Sequence, residues 1–273
     1  MDMSAEIARI FAISAPVAKA EAVRLLKAEL DAGRYSHASP LDLPIRPGRP
    51  DKPVLAAPKD VPRRRITRGA DGRIALIHAI AHIELNAIDL ALDMCVRFQA
   101  EHLPFDFVKD WMSVADDEAR HFLMLENRLA ELGSYYGALS AHDGLWQAAE
   151  KTATHLLGRL AIAPLVLEAR GLDVTPQLID KMIAVEDEKT AACLEIIMRD
   201  EVGHVATGKR WYDYQCGMEK LDPVSTWHKL VGLYFHGALK PPFNIDARKA
   251  ARFSAAFYGP LAAQSDNPTA LTG

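Results

Sequence analysis

The chain carries Asp-Glu-x-x-His twice, and each copy follows a lone Glu at nearly the same distance. The copies are Asp117-Glu118-Ala119-Arg120-His121 and Asp200-Glu201-Val202-Gly203-His204. Glu84 stands 34 residues before Glu118, and Glu168 stands 33 residues before Glu201. Helix positions i and i+3 share a face, so each Glu-x-x-His aims a carboxylate and an imidazole at one point. Two such helices, with one Glu from each of two more, make the ligand set of a carboxylate-bridged dinuclear metal site in a four-helix bundle.

Glu-x-x-His occurs only in these two places among ten histidines. The bland alternative is two helices with solvated Glu/His faces, and the neighbours argue against it. Ile77, Ile80, Ala81, Ile88 and Ala91 surround Glu84 at helical spacing. Trp111, Val114, Ala115, Phe122 and Leu125 do the same for Glu118, and Leu194, Ile197, Val205 and Gly208 for Glu201. Glu168 closes an apolar run from Leu156 to Leu167 that only Gly158 and Arg159 interrupt. Each Glu therefore points where a core residue belongs. A buried, uncompensated carboxylate is very costly, so bound cations are the expected counter-charge.

Residues 4 to 33 read as one or two helices, interrupted near Pro16. Seven prolines between positions 40 and 62 forbid regular helix there and predict an extended arm over the bundle. Helix is expected from about Asp71 to His102, and again from Pro104 to Leu132 with a stop at Gly133. A third runs from about Leu145 to Arg170, kinked by Pro164 and ended by Gly171. Thr175-Pro176 reads as a cap and first-turn pair, followed by helix to Met218. Residues 223 to 238 and 244 to 257 read as two more helices, and the last dozen residues as a disordered tail. Strand-like alternation is nearly absent. The class is all-α, divided into 1–69 (terminal helices and arm), 70–218 (four-helix bundle) and 219–273 (C-terminal helices and tail).

Composition narrows the class further. The net charge of −4 gives no global signal for nucleic acid or membrane. Cys95, Cys193 and Cys216 form no C-x-x-C pair, which fits a reduced cytoplasmic protein and excludes a built-in rubredoxin-type iron centre. Any electrons must then come from an external donor. No uncharged run approaches membrane-spanning length, and acidic Asp2 and Glu6 precede any basic residue, unlike a secretory signal.

The metal-ligand pattern resembles the ferritin-like superfamily. His78-Ala-Ile-Ala-His-Ile-Glu-Leu-Asn86, Glu168-Ala-Arg-Gly-Leu-Asp173 and Lys240-Pro-Pro-Phe-Asn244 resemble, more closely, a bacterial ferritin-like family of unknown function distantly similar to the tRNA-hydroxylase branch. The superfamily includes ribonucleotide reductase small subunits, multicomponent monooxygenases, rubrerythrins, ferritins and manganese catalases. It therefore implies a site more firmly than a reaction. The resemblance implies that Glu118 and Glu201 bridge two metals, that Glu84 and Glu168 are terminal ligands, and that His121 and His204 bind one metal each. It also implies that Asp117 and Asp200 orient the ligating imidazoles while Arg120 steadies Asp117. Gly203 replaces the equivalent of Arg120 in the second copy.

Four carboxylates and two imidazoles form a hard, oxygen-rich set suited to two iron ions, with manganese as the alternative. The expected function is a di-iron oxidoreductase that activates dioxygen to hydroxylate or desaturate an unidentified substrate. The alternatives are a ferroxidase, a peroxide-consuming manganese protein, and a ferritin-fold interaction protein with a structural metal site. Ala81, Ala115 and Ala161 face the ligands, where they leave either a pocket or room for close helix packing.

His78 and His82 are rotated away from Glu84 and read as surface or inter-helix residues. Cys95 reads as core, and Tyr212 as too distant for a radical partner. Glu186, Asp187 and Glu188 read as a solvated run, and Glu195 as pairing with Arg199. From Arg46 to Arg68 there are eight basic and two acidic residues. A nucleic-acid contact is one reading of that stretch. No aromatic residue interleaves the basic ones, so pairing with acidic groups of the bundle is the expectation.

Overall fold

In the computed structural model the described residues are 1–57, 61, 66–67, 69–99 and 103–265, with side chains to position 262. The chain is all-α. Among the described residues there is no β-strand, only the isolated bridges Asp2–His37 and Leu55–Ala141. Two compact units form, Met1–Glu150 with Ile179–Cys193, and Lys151–Leu178 with the residues from Leu194 onward.

In the first unit, α1 (Ser4–Phe11) and α2 (Pro16–Asp31) separate at Pro16, which opens α2 where its missing N–H costs nothing. The main pair is α3 (Ala70–Arg97) against α4 (Phe105–Glu131). α4 ends as the sequence requires. Gly133 takes φ 76°, its N–H reaches Ala130 O at 3.0 Å, and Ser134 N–H reaches Leu129 O at 2.9 Å. α3 is buried on nearly every side, including its polar residues His78, His82, Glu84, Asn86, Asp89 and Asp93. It is long and apolar enough to cross a membrane, but 72% of its apolar stretch is buried inside the protein, as in a core helix. The helix expected to reach His102 ends at Arg97, with Phe98 at its cap; residues 100–102 lie outside the described residues.

The Pro-rich segment is an extended arm on this unit, as its prolines require. Trp146 Nε1 donates to Ile45 O at 3.0 Å, and Arg97 to Pro44 O at 3.0 Å. Gly48 passes so close to α1 that an added Cβ would lie 2.1 Å from Ala12 O, so only glycine fits. Arg46 pairs with Asp143 and Glu150, and Arg49 with Asp89. The described arginines of the arm thus meet carboxylates of the same unit. Lys59, Arg63, Arg64, Arg65 and Arg68 lie outside the described residues. Beneath the arm, fully buried Lys19 donates to Asp89 Oδ1 at 2.6 Å and to Gly48 O at 2.9 Å.

After α5 (Gly144–Lys151), the second unit begins with α6 (Leu156–Ile162), which continues into a π-helical turn (Ala163–Glu168) and α7 (Ala169–Ala184). The expected helix from Leu145 to Arg170 is therefore split near residues 152–155, and Gly171 does not end it. Pro164 produces a wide turn instead of a simple kink, because its ring excludes the ordinary i to i−4 bond. Thr175-Pro176 does not start a helix either. Pro176 lies inside α7, and the carbonyl it leaves without a partner, Leu172 O, accepts from Asn244 Nδ2 at 3.2 Å.

α8 (Glu188–Glu219) follows, then α9 (Pro223–Tyr234), α10 (Ile245–Ala250) and α11 (Ala255–Ser265). The single helix expected over 244–257 is two, separated at Arg252 with φ 58°. Trp227 on α9 packs on Phe253 and Phe257, and its indole donates to Ala161 O at 3.2 Å. Arg248 pairs with Asp173 at 2.7 Å beneath the rings of Phe243, Phe253 and Tyr258. These contacts join the Lys240–Asn244 and Glu168–Asp173 segments. Asp187 corrects another expectation. It is buried, caps α8 through Thr190 N–H at 3.0 Å, and pairs with Arg73 and Arg128 at 2.9 and 2.8 Å.

His82 is buried in the first unit. Its Nε2 lies 3.1 Å from His142 O and its Nδ1 lies 2.7 Å from the Tyr136 hydroxyl. A neutral ring with Nε2–H donating to the carbonyl satisfies both contacts. Burial, helped by the charge of Arg49, lowers its pKa from 6.5 to about 4. The folded state therefore resists a proton that the unfolded chain accepts. The stabilisation is complete above pH 6.5 and is lost as pH falls toward 4. The whole loss is about 3 kcal/mol. Urea unfolding across this window should show it, and His82→Gln should flatten the slope. An unchanged slope would contradict the account.

Candidate metal centre

Glu84 on α3 and Glu118 and His121 on α4 converge in the first unit, with potential ligand atoms within 4.8 Å of one another. They are 2%, 1% and 0% exposed, so bulk water cannot solvate their charges. His121 Nδ1 lies 3.2 Å from Glu84 Oε2 and 3.5 Å from Glu118 Oε2. Donors held about 2.1 Å from one ion stand roughly 3.0 to 3.5 Å apart. The triad thus fits one hard cation. Without one it must hold protons. Burial, then the charge of Glu118, pushes the Glu84 carboxyl well above its ordinary range. Burial disfavours charging His121, but its contacts with Glu118 and Glu84 outweigh burial and raise its pKa to about 10. A divalent ion would replace these protons as the counter-charge.

The second motif lies on α8 in the second unit. His204 Nδ1 is 3.7 Å from Glu201 Oε2, and both residues are buried. Glu168 is the last residue of the π-helical turn and is half-buried. The turn packs tightly on α8. A Cβ at Gly208 would lie 2.2 Å from Pro164 Cβ, and a Cβ at Gly171 would lie 3.8 Å from Glu201 Oε1. Gly208 lets the π-helical turn approach α8, a role that composition and spacing did not reveal, whereas a Cβ at Gly171 would make only ordinary contact with Glu201. The only sequence hint was Gly208 lying seven residues beyond Glu201 within a helical run.

The flanking residues divide. Arg120 Nη2 donates to Asp117 Oδ1 at 2.8 Å, at a partly exposed position one residue before Glu118. Arg199 donates to the adjacent Asp200 at 3.1 Å, where pairing with Glu195 was expected. His78 and His82 are buried against Tyr136, not on the surface, and bind the 136–142 loop. Cys95 is core, its thiol 3.7 Å from Val108 O, and Tyr212 donates to Pro223 O at 3.0 Å. Ala81, Ala115 and Ala161 are fully buried.

Gly208→Ala should expose the tightness of this packing. In an open helix the change stabilises by about 1 kcal/mol. Here the clash with Pro164 should reverse the sign, at a cost of about 1–3 kcal/mol. A raised melting temperature would show that α8 does not need the close approach.

Residues 12–259 match the family described as "Protein of unknown function (DUF455)". An uncharacterized protein of Haemophilus influenzae is 44% identical over 210 residues, covering 75% of this chain and 73% of that relative. No solved structure matches the chain. With nearly its whole length matched, the chain belongs to the DUF455 family.

Proposed function

We propose that this protein is a ferritin-like, dinuclear-metal oxidoreductase, with iron as its metal. On this reading it uses dioxygen and an external electron donor to hydroxylate or desaturate a substrate. The observation that carries the reading is the buried Glu84–Glu118–His121 triad. The duplicated Asp-Glu-x-x-His then argues for a second, matching ligand set in Glu168, Glu201 and His204. When bound, two iron ions supply the electrons that reduce dioxygen.

The residues have separable tasks in this reading. Glu118 and Glu201 would hold both ions, while Glu84 and Glu168 would each hold one. His121 presents Nδ1 to its carboxylates. Arg120 restrains Asp117, which in turn helps set imidazole orientation. Ile88, Phe122 and Leu125 stand one helical turn after Glu84, Glu118 and His121 and are fully buried, which would keep water from the ligands. Ala81 and Ala115 keep bulk away from the ligand side of α3 and α4.

The purified protein should hold about two metal ions per chain after loading with iron or manganese. Glu118→Ala and Glu201→Ala should each remove both ions, because a bridge serves both. Glu84→Ala should weaken chiefly one. His82→Ala should retain both while lowering stability. Metal analysis decides: a protein that stays metal-free after reconstitution, or loses metal through His82→Ala but not Glu84→Ala, refutes this ligand assignment.

A further inference from the structure

Asp89 of α3 is fully buried and faces two cations of the first unit. Lys19 Nζ lies 2.6 Å from its Oδ1, and Arg49 Nη1 lies 2.8 Å from its Oδ2. Lys19 alone neutralises the carboxylate, and its ammonium also donates to Phe11 O at 3.2 Å and Gly48 O at 2.9 Å. The charge of Arg49 therefore exceeds what neutrality requires, and its geometry has a separate use. Arg49 Nη2 donates to Asn86 Oδ1 at 2.8 Å, so the guanidinium fork spans two residues one turn apart on α3. The chain behind the fork is clamped. Gly48 N–H donates to Phe11 O at 2.9 Å, and the guanidinium lies 5.8 Å from the centre of the Trp146 ring. At 3.6 residues per turn, Asn86 and Asp89 stand about 200° and about 140° round the axis from Glu84. The arm thus grips the side of α3 opposite the triad. On the Glu84 side, buried Ala81 and Ala91 offer only methyl groups to interlock with neighbours.

We propose that Arg49 is a positioning residue for the metal centre: through Asn86 and Asp89 it sets the rotation of α3 that brings Glu84 to Glu118 and His121. The inference rests on the metal reading of that triad. Small rotations matter here. Turning a helix of radius about 5–6 Å by about 10° carries a side-chain tip about 1 Å. Metal–ligand distances tolerate about 0.2 Å. A contact at a single residue would leave α3 free to pivot about it, whereas a fork across Asn86 and Asp89 fixes rotation and rise together. Holding the arm does not need Arg49. Arg46 pairs with Asp143 and Glu150, Trp146 Nε1 donates to Ile45 O, and Ala56 N–H donates to Ala141 O at 2.8 Å. The coupling is reciprocal: an ion that holds Glu84 in place also favours the docked arm.

Cobalt(II) titration of the full chain, followed by its visible absorption, tests the proposal, because the spectrum reports ligand geometry as well as affinity. Arg49→Gln should weaken cobalt binding about tenfold or more and alter the spectrum. Arg49→Lys keeps the charge but not the fork, so it should remain impaired. Arg46→Gln, a change on the same arm that does not touch α3, should bind cobalt like wild type with the same spectrum. In the wild type, cobalt should slow amide hydrogen exchange over residues 45–56, and Arg49→Gln should abolish that slowing. Wild-type protein that takes up no cobalt overturns the metal reading, and this inference with it. Wild-type protein that binds cobalt, with Arg49→Gln binding it equally and with the same spectrum, overturns this inference alone. Full rescue by Arg49→Lys, or equal weakening by Arg46→Gln, overturns it too. Should Arg49→Gln fail to fold, the wild-type exchange decides: an arm that cobalt leaves unprotected overturns the coupling.

Discussion

Charge buried between α3 and α4 sets the terms for the first unit. Glu84, Glu118 and His121 sit where an apolar core would be cheaper, and two carboxylates there need compensating positive charge. A proton on His121 and one shared by the carboxylates supply it in part, which is why both groups hold protons well above their usual ranges. A bound divalent ion would supply it more completely. The same helix carries a second buried charge system, Asp89 with Lys19 and Arg49, which ties α2 and the proline-rich arm to α3. α3 is thus fixed in rotation by ionic contacts as well as apolar ones. A slip of one residue would break the triad and the Asp89 cluster together.

The second unit positions Glu168, Glu201 and His204 by a different device. Its helices depart from regular geometry close to Glu168, and neighbours compensate each departure. The π-helical turn absorbs Pro164, while Gly208 admits that turn against α8. Asn244 takes up the carbonyl that Pro176 leaves, and Asp173 and Arg248 anchor the segment that carries Asn244. Such irregularity costs stability and is commonly kept where side chains must be aimed.

What the sequence disclosed follows from how local each signal is. Glu118 with His121 and Glu201 with His204 were legible because an i,i+3 spacing fixes proximity within one helix. The ends of α2 and α4 were legible from Pro16 and Gly133. Thr175-Pro176 misled because the compensating partner, Asn244, lies far along the chain. Asp187 looked solvated because Arg73 and Arg128, which bury its charge, come from α3 and α4. His82 looked peripheral because helical rotation separates it from Glu84, but nothing local shows that the 136–142 loop covers it. Helix phase identified the triad; long-range partners decided the rest.

The central proposal is that the chain binds two redox-active metals. Its most direct test is to load the protein with ferrous iron without oxygen, then admit a single pulse of dioxygen while recording absorption and Mössbauer spectra. The account predicts that about two protein-bound irons per chain become ferric together and return to ferrous on reduction. Metals that hold one oxidation state through both steps, with manganese as with iron, and whose removal only lowers the melting temperature, would contradict it.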